Sequence, residues 1–255
     1  MYMAKKNILI LDNDECLGFF GVMSGFYNYL IGEPNLRERL EPNNMKRLKR
    51  EALYLEFSKD LLDSGFARPG LKTLFKEISQ LKGGGKLDYV VMYTSAQRND
   101  GSHQNRYNDW VATLRNILEN YTGYNVYDMD HSGRSDEHPM METPDGATLK
   151  SVGRIIRKLG LSKEQVGRVV FFDDRPQNIE CKHDCIPSTV TKTGLKPYMY
   201  LPKYDRILNV CLRWDRQFID NGLPQPSKLL PGLYKEEVSY MAEDGIKPGG
   251  IRKDV

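Results

Sequence analysis

The chain reads as an α/β protein: a Rossmann-like three-layer sandwich around a central, mainly parallel sheet, with small inserts. Three aliphatic runs predict this, ILIL at 8–11, YVVMYT at 89–94 and RVVFF at 168–172. Each is short, apolar on successive positions and bounded by polar residues, as strands buried on both faces of a parallel sheet are. Each also ends in side chains able to do chemistry: Asp12 and Asp14, then Thr94 and Ser95, then Asp173 and Asp174. Ligands of open α/β sheets bind at the carboxyl ends of the strands.

In order along the chain, residues 7–12 are the first strand. FFGVMSGFYNYL (19–30) is apolar, aromatic and broken by glycines, and reads as a short buried helix. Residues 44–64 predict a helix capped by Asn43 or Asn44, with Leu48, Ala52, Leu55 and Leu62 inward and MKRLKRE as a solvated face. Pro69 and Gly70 precede a helix over 71–82, and Gly83 to Gly85 end it. These three glycines precede a strand, whereas a phosphate-cradling loop follows one, so they are not such a loop.

After the second strand comes a polar loop insert, about 96–108, which offers Arg98, His103 and Arg106 as substrate contacts or plain surface. Residues 110–121 predict a helix with Trp110, Leu114, Ile117 and Leu118 inward, and 125–130 a third strand. A second polar loop, 131–148, follows; loops this long in compact domains are commonly functional or disordered. Lys150 opens a helical stretch with Val152, Ile155, Ile156 and Leu159 on one face. Beyond the strand ending at Asp173, Pro176 is placed to open a helix in which Asn178 either supports the loop or makes a structural hydrogen bond. STVTKT (188–193) predicts an edge strand and 205–222 a helix. From Gly222 the chain is rich in Pro, Gly and Lys, and an extended or partly disordered tail is expected. The expected organisation is one domain over 1–216, with a small helical insert at about 18–66, and a tail over 217–255.

Composition sets outer limits. At 255 residues the chain suits one domain with inserts or a domain plus a small cap. A net charge of +3 gives no strong electrostatic case for nucleic acid or an acidic membrane. The early apolar run Ile8 to Leu11 is too short for a signal peptide core or a membrane span, so a soluble intracellular protein, cytoplasmic or nuclear, is expected. The four cysteines form no disulfide framework. CKHDC (Cys181, His183, Cys185) has poor spacing for a structural zinc and reads as an ordinary loop.

Two acidic groups emerging together at a buried strand end repel unless a cation or a shared proton relieves them. The pair Asp12 and Asp14 therefore predicts a divalent metal, or a nucleophile beside an acid/base, or both. With Asp173, Asp174, Thr94, Ser95 and Lys150, the inventory suits phosphoryl transfer: a carboxylate nucleophile, an acid/base, a Mg²⁺ cage, and donors for phosphate oxygens.

The order DNDE, a strand ending in Thr-Ser, a lysine, and a strand ending in DD resembles the four motifs of the haloacid dehalogenase superfamily, over roughly residues 7–180. DNDECLG and ARPGLKTLFKEI (67–78) are similar to segments of its C-terminal-domain phosphatase branch, also called NLI-interacting-factor-like. Cys16 departs from the usual Thr or Val, and the spacing from Lys150 to Asp173 is long for that branch, so Lys158 competes for the role of motif lysine. The resemblance implies a Mg²⁺-dependent phosphomonoester phosphatase. In that reading Asp12 is the nucleophile and Asp14 the acid/base; Asp12, Asp14, Asp173 and Asp174 hold the metal; Thr94, Ser95 and Lys150 hold phosphate. The substrate is then a phosphoprotein or a phosphorylated small molecule, with nucleotides, sugars and nucleic-acid ends as alternatives. A non-catalytic scaffold on the same fold is a second class, disfavoured by the intact Asp12 and Asp14. A dehalogenase is a third, disfavoured because it needs no general acid at Asp14.

Overall fold

The computed structural model describes residues 4–13, 16–32, 45–94, 110–132, 150–173, 179–180, 190–194 and 202–243. These fall into two compact units. The first comprises residues 1–16, 70–100 and 111–197; the second comprises 17–69, 101–110 and 198–255.

The first unit carries a five-stranded sheet made of β1 (Lys6–Leu11), β2 (Tyr89–Thr94), β3 (Met129–Ser132), β5 (Val166–Asp173) and β7 (Val190–Gly194). Its order is β3-β2-β1-β5-β7, and every neighbouring pair is parallel. The α/β class expected from the aliphatic runs is the class observed. The central strands are covered on both faces: Ile8, Leu9, Ile10 and Leu11 are all buried, as are Val90 to Tyr93. On one face Ile8, Ile10, Val91, Tyr93 and Phe171 form a core with Val152, Ile155 and Ile156 of the helix Val152–Lys158 (α5). Helices Leu71–Gly83 (α3) and Trp110–Thr122 (α4) complete the flanks, and Leu114, Ile117 and Leu118 of α4 are buried as their spacing requires.

Two expectations shift here. The third strand begins at Met129, not 125. Residues 126–128 are held mostly by side chains, although the Asp128 N–H donates to the Val90 carbonyl of β2 at 2.9 Å. Lys82 Nζ donates to the Val126 carbonyl at 2.8 Å, and the Tyr127 N–H donates to Glu119 at 3.1 Å. Asp128 takes the Val90 N–H at 2.8 Å. Lys150, expected to open a helix, lies in a two-residue strand β4 (Lys150–Ser151), paired parallel with β6 (Ile179–Glu180) in a separate two-stranded sheet. The helix starts one residue after Ser151, which sits at φ −90°, ψ 117° and accepts the Arg154 N–H on its hydroxyl at 3.3 Å. A capping serine needs that extended backbone, so it fixes the helix start beyond Lys150.

The second unit is helical: α1 (Gly21–Gly32), α2 (Met45–Leu61), α6 (Tyr204–Asp220) and α7 (Pro226–Glu243) pack together. The insert after β1 is thus not a small appendage of the sheet domain, because α6 and α7 join it. Residues 226–243, expected to be extended, form α7 despite Pro231 within it. Tertiary contacts supply the reason: the Ser227 N–H and hydroxyl donate to Asp215 at 3.0 and 2.5 Å, and the Tyr234 hydroxyl donates to the Pro202 carbonyl at 2.7 Å. Packing of this kind overrides weak local propensity.

On α2 the inward face matches the expected stripe only in part: Leu62, just past the end of α2, is buried and Leu55 is half-buried. Leu48 is 44% exposed and Ala52 is exposed, while Tyr54, Phe57 and Leu61 are fully buried. Aromatic side chains bury the larger area and so decide which way the helix faces. Phe26 of α1 meets Tyr54, Phe57 and Phe218, with ring centroids 5.6 to 6.2 Å apart, and the Tyr54 hydroxyl donates to the Met23 carbonyl at 2.6 Å. α2 runs into a π-helical turn, Leu62–Phe66, where Gly65 takes φ +121°. Beyond it the chain pairs back on residues 17–19: Phe19 N–H to Phe66 O and Arg68 N–H to Leu17 O, both 2.8 Å. A Cβ on Gly18 would lie 2.4 Å from the Phe66 carbonyl oxygen, so that close approach requires glycine.

Among the described residues no helix is long and apolar enough to cross a membrane. Phe218 is fully buried in the aromatic cluster. Phe218→Ala is expected to destabilise the protein by about 3–5 kcal/mol. Chemical denaturation of the variant beside wild type checks it, the loss showing as a lower midpoint at unchanged slope.

Candidate active site

The order of the strands locates the site before any side chain is considered. The chain passes from β1 to β2 to β3 on one side, then crosses back to β5 on the other side of β1. The reversal falls between β1 and β5, and such a switch point opens a crevice at the carboxyl strand ends. Leu11 lies opposite Phe172, so Asp12 and Asp173 follow at the same level on adjacent strands. The Asp12 N–H donates to the Phe172 carbonyl at 3.0 Å and ties the two ends together.

Lys150 joins the two carboxylates. Its Nζ lies 2.7 Å from Asp12 Oδ1 and 2.7 Å from Asp173 Oδ2. All three are buried, with Lys150 2% exposed, Asp12 5% and Asp173 0%. The short pairing of Lys150 opposite Ile179 delivers the lysine to this point. Burial acts to depress the ammonium, but the charges of Asp12 and Asp173 and their hydrogen bonds more than offset it, so Lys150 is held above its ordinary value. A raised lysine contributes stability that is complete below its ordinary titration range and is lost only as pH rises through the folded value. The contribution is therefore fully present at neutral pH.

Thr94 is 1% exposed at the end of β2, next to β1. Tyr93 precedes it and links the strand ends to Lys150: its hydroxyl accepts the Ser151 N–H at 3.0 Å, and its ring stacks on Phe171 at 5.7 Å. Sequence reasoning passed over Tyr93. The available signal was a phenol in an otherwise aliphatic buried strand, since a buried tyrosine hydroxyl needs a partner. Lys158, the competing lysine, lies elsewhere: its Nζ is 3.1 Å from Nδ1 of the buried His131. Asp12, Thr94 and Asp173 thus stand at the ends of neighbouring strands, and Lys150 reaches Asp12 and Asp173 from β4. Asp14, Ser95 and Asp174 lie outside the described residues, as do Arg98, His103, Arg106, Asn178 and the CKHDC loop.

Among the described residues no three His, Cys, Asp or Glu side chains converge as a metal site. Asp12 and Asp173 supply two carboxylates against one ammonium, an oxygen donor set of the type that hard divalent cations take.

A scan against protein-family models gives no match, and a search of curated proteins gives none. Among solved structures the chain is similar to a haloacid dehalogenase-superfamily hydrolase, subfamily IA, variant 1, from Geobacter sulfurreducens PCA. The two are 16% identical over 69% of this chain and 82% of that one, with a TM-score of 0.33. A likeness that distant carries no functional weight, and the C-terminal-domain phosphatase resemblance rests on motif spelling alone.

Lys150→Met leaves two buried carboxylates facing each other without their cation. It is expected to cost about 3–5 kcal/mol at pH 7, as breaking one partner out of a buried ion pair does. Melting temperatures of variant and wild type at that pH check the size.

Proposed function

We propose that the protein is a Mg²⁺-dependent phosphomonoester phosphatase working through an aspartyl phosphate. The observation that supports it best is the Lys150 ammonium held between Asp12 and Asp173 at the topological switch point. An ammonium at 2.7 Å favours the ionised form of the Asp12 carboxylate and fixes its direction, and a nucleophile needs both. A cation buried at this point is also a fixed positive charge toward which phosphate oxygens can move.

In this reading Asp12 attacks phosphorus in line, and the P–O bond to the alcohol breaks as Asp14 gives that oxygen its proton. Asp14 then takes a proton from water as the water attacks the aspartyl phosphate, which releases inorganic phosphate and restores both carboxyl groups. The Thr94 hydroxyl, with Ser95 beside it, donates to phosphoryl oxygens. Asp12, Asp14, Asp173 and Asp174 would hold Mg²⁺, which when bound neutralises enough carboxylate charge for a phosphate dianion to approach. The substrate class is a phosphoprotein, a nucleotide, a sugar phosphate or a phosphorylated nucleic-acid end, to be separated by screening.

Hydrolysis of p-nitrophenyl phosphate with and without Mg²⁺ tests the reading. Metal-dependent release is expected in wild type, with a fall of roughly a thousandfold or more in Asp12→Asn, as for loss of a nucleophile. Thr94→Val is expected to lower kcat by about a hundredfold, the scale for one lost donor to a charged transition state. Full turnover in Asp12→Asn would sink the proposal.

A further inference from the structure

Asn13 sits between the two acidic residues of the first motif and is 0% exposed. Among the described residues neither Nδ2 nor Oδ1 of its amide has a hydrogen-bond partner, and no other buried side chain leaves both a donor and an acceptor unmet. Buried polar groups are almost always hydrogen-bonded, because stripping water from them without replacement is costly. An aliphatic side chain at 13 would avoid that cost, as the aliphatic residues at 8 to 11 do on β1. The amide therefore weakens the ligand-free fold and makes no hydrogen bond there in return.

Its neighbours suggest what could meet it. Asp12 follows the last residue of β1, Leu11, and Asn13 comes next, beyond the strand, where pleat alternation no longer forces the two onto opposite faces. Asn13 is as buried as Lys150, Asp173 and Thr94, so burial does not set it apart from the site. An amide presents a donor and an acceptor together, and a hydrated phosphate offers both acceptor oxygens and protons. Residues whose polar groups are unmet in the free protein and met by a ligand are a recurrent reason for stability to be given up at a site.

We infer that Asn13 is a substrate-binding residue whose side-chain amide hydrogen-bonds the phosphoryl group beside Asp12. This rests on the phosphatase reading and adds a contact from a side chain that carries no charge and does not titrate.

The test is calorimetric titration of inorganic phosphate, with Mg²⁺ present, into the full chain as wild type, Asn13→Ala and Asn13→Val. The two substitutions bracket the volume of asparagine, so if one fails to fold the other still decides. Wild type is expected to bind phosphate, and the variants to bind it about ten- to a hundredfold more weakly, the range carried by one hydrogen bond to a charged group. Wild-type binding with an unchanged dissociation constant in a folded variant overturns the assignment of Asn13 and leaves the phosphatase reading standing. No phosphate binding by wild type overturns both.

Discussion

The interaction on which the rest of the first unit depends is the ammonium of Lys150 between Asp12 and Asp173. Two carboxylates at adjacent strand ends, both buried, repel in a medium that screens poorly. One cation at 2.7 Å from each turns that repulsion into two charge-assisted hydrogen bonds. Much of the local structure serves to deliver that cation. The β4–β6 pairing sets the backbone at Lys150, the Ser151 cap starts α5 at once, and the Tyr93 hydroxyl receives the Ser151 N–H. Burial of the lysine would be unfavourable by itself, and the two carboxylates reverse the sign.

The two units achieve their stability by different means. The sheet unit packs aliphatic strands against α5, with polar groups gathered at the carboxyl ends. The helical unit relies on rings: Phe26, Tyr54, Phe57, Trp214 and Phe218 form a connected cluster drawn from three helices. Trp214 also donates its indole N–H to Asp60 at 2.8 Å, which ties α6 to α2. Such rings carry large apolar areas with a polar handle, so a few of them can order α1 and α2, whose own sequences are weakly amphipathic, against the strongly amphipathic α6. Cys211 shows the same dryness: burial and the Asp215 charge push its thiol up to about 12. α7, which carries Pro231 and Gly232 in its interior, is ordered by this environment and by the two bonds from Ser227 to Asp215.

The sequence by itself determined the α/β class and which residues end its central strands. Ile8 to Leu11, Val90 to Met92 and Val169 to Phe172 are apolar at every position because both faces of a central parallel strand are covered, and that pattern is local. Asp12, Thr94 and Asp173 could be placed for the same reason, as the first polar residues after such runs. Tertiary structure alone decided the rest. Lys150 meets the carboxylates and Lys158 meets His131 because strand pairing, which no spacing encodes, carries one lysine to the switch point and leaves the other on the last turn of α5. α2 turns Tyr54 and Phe57 inward and leaves Leu48 exposed because its partners are rings on other helices. Residues 226–243 fold because Asp215 and Pro202, distant or half-hidden in the sequence, satisfy their polar groups. Local pattern reports which faces are apolar; only long-range pairing reports which of them meet.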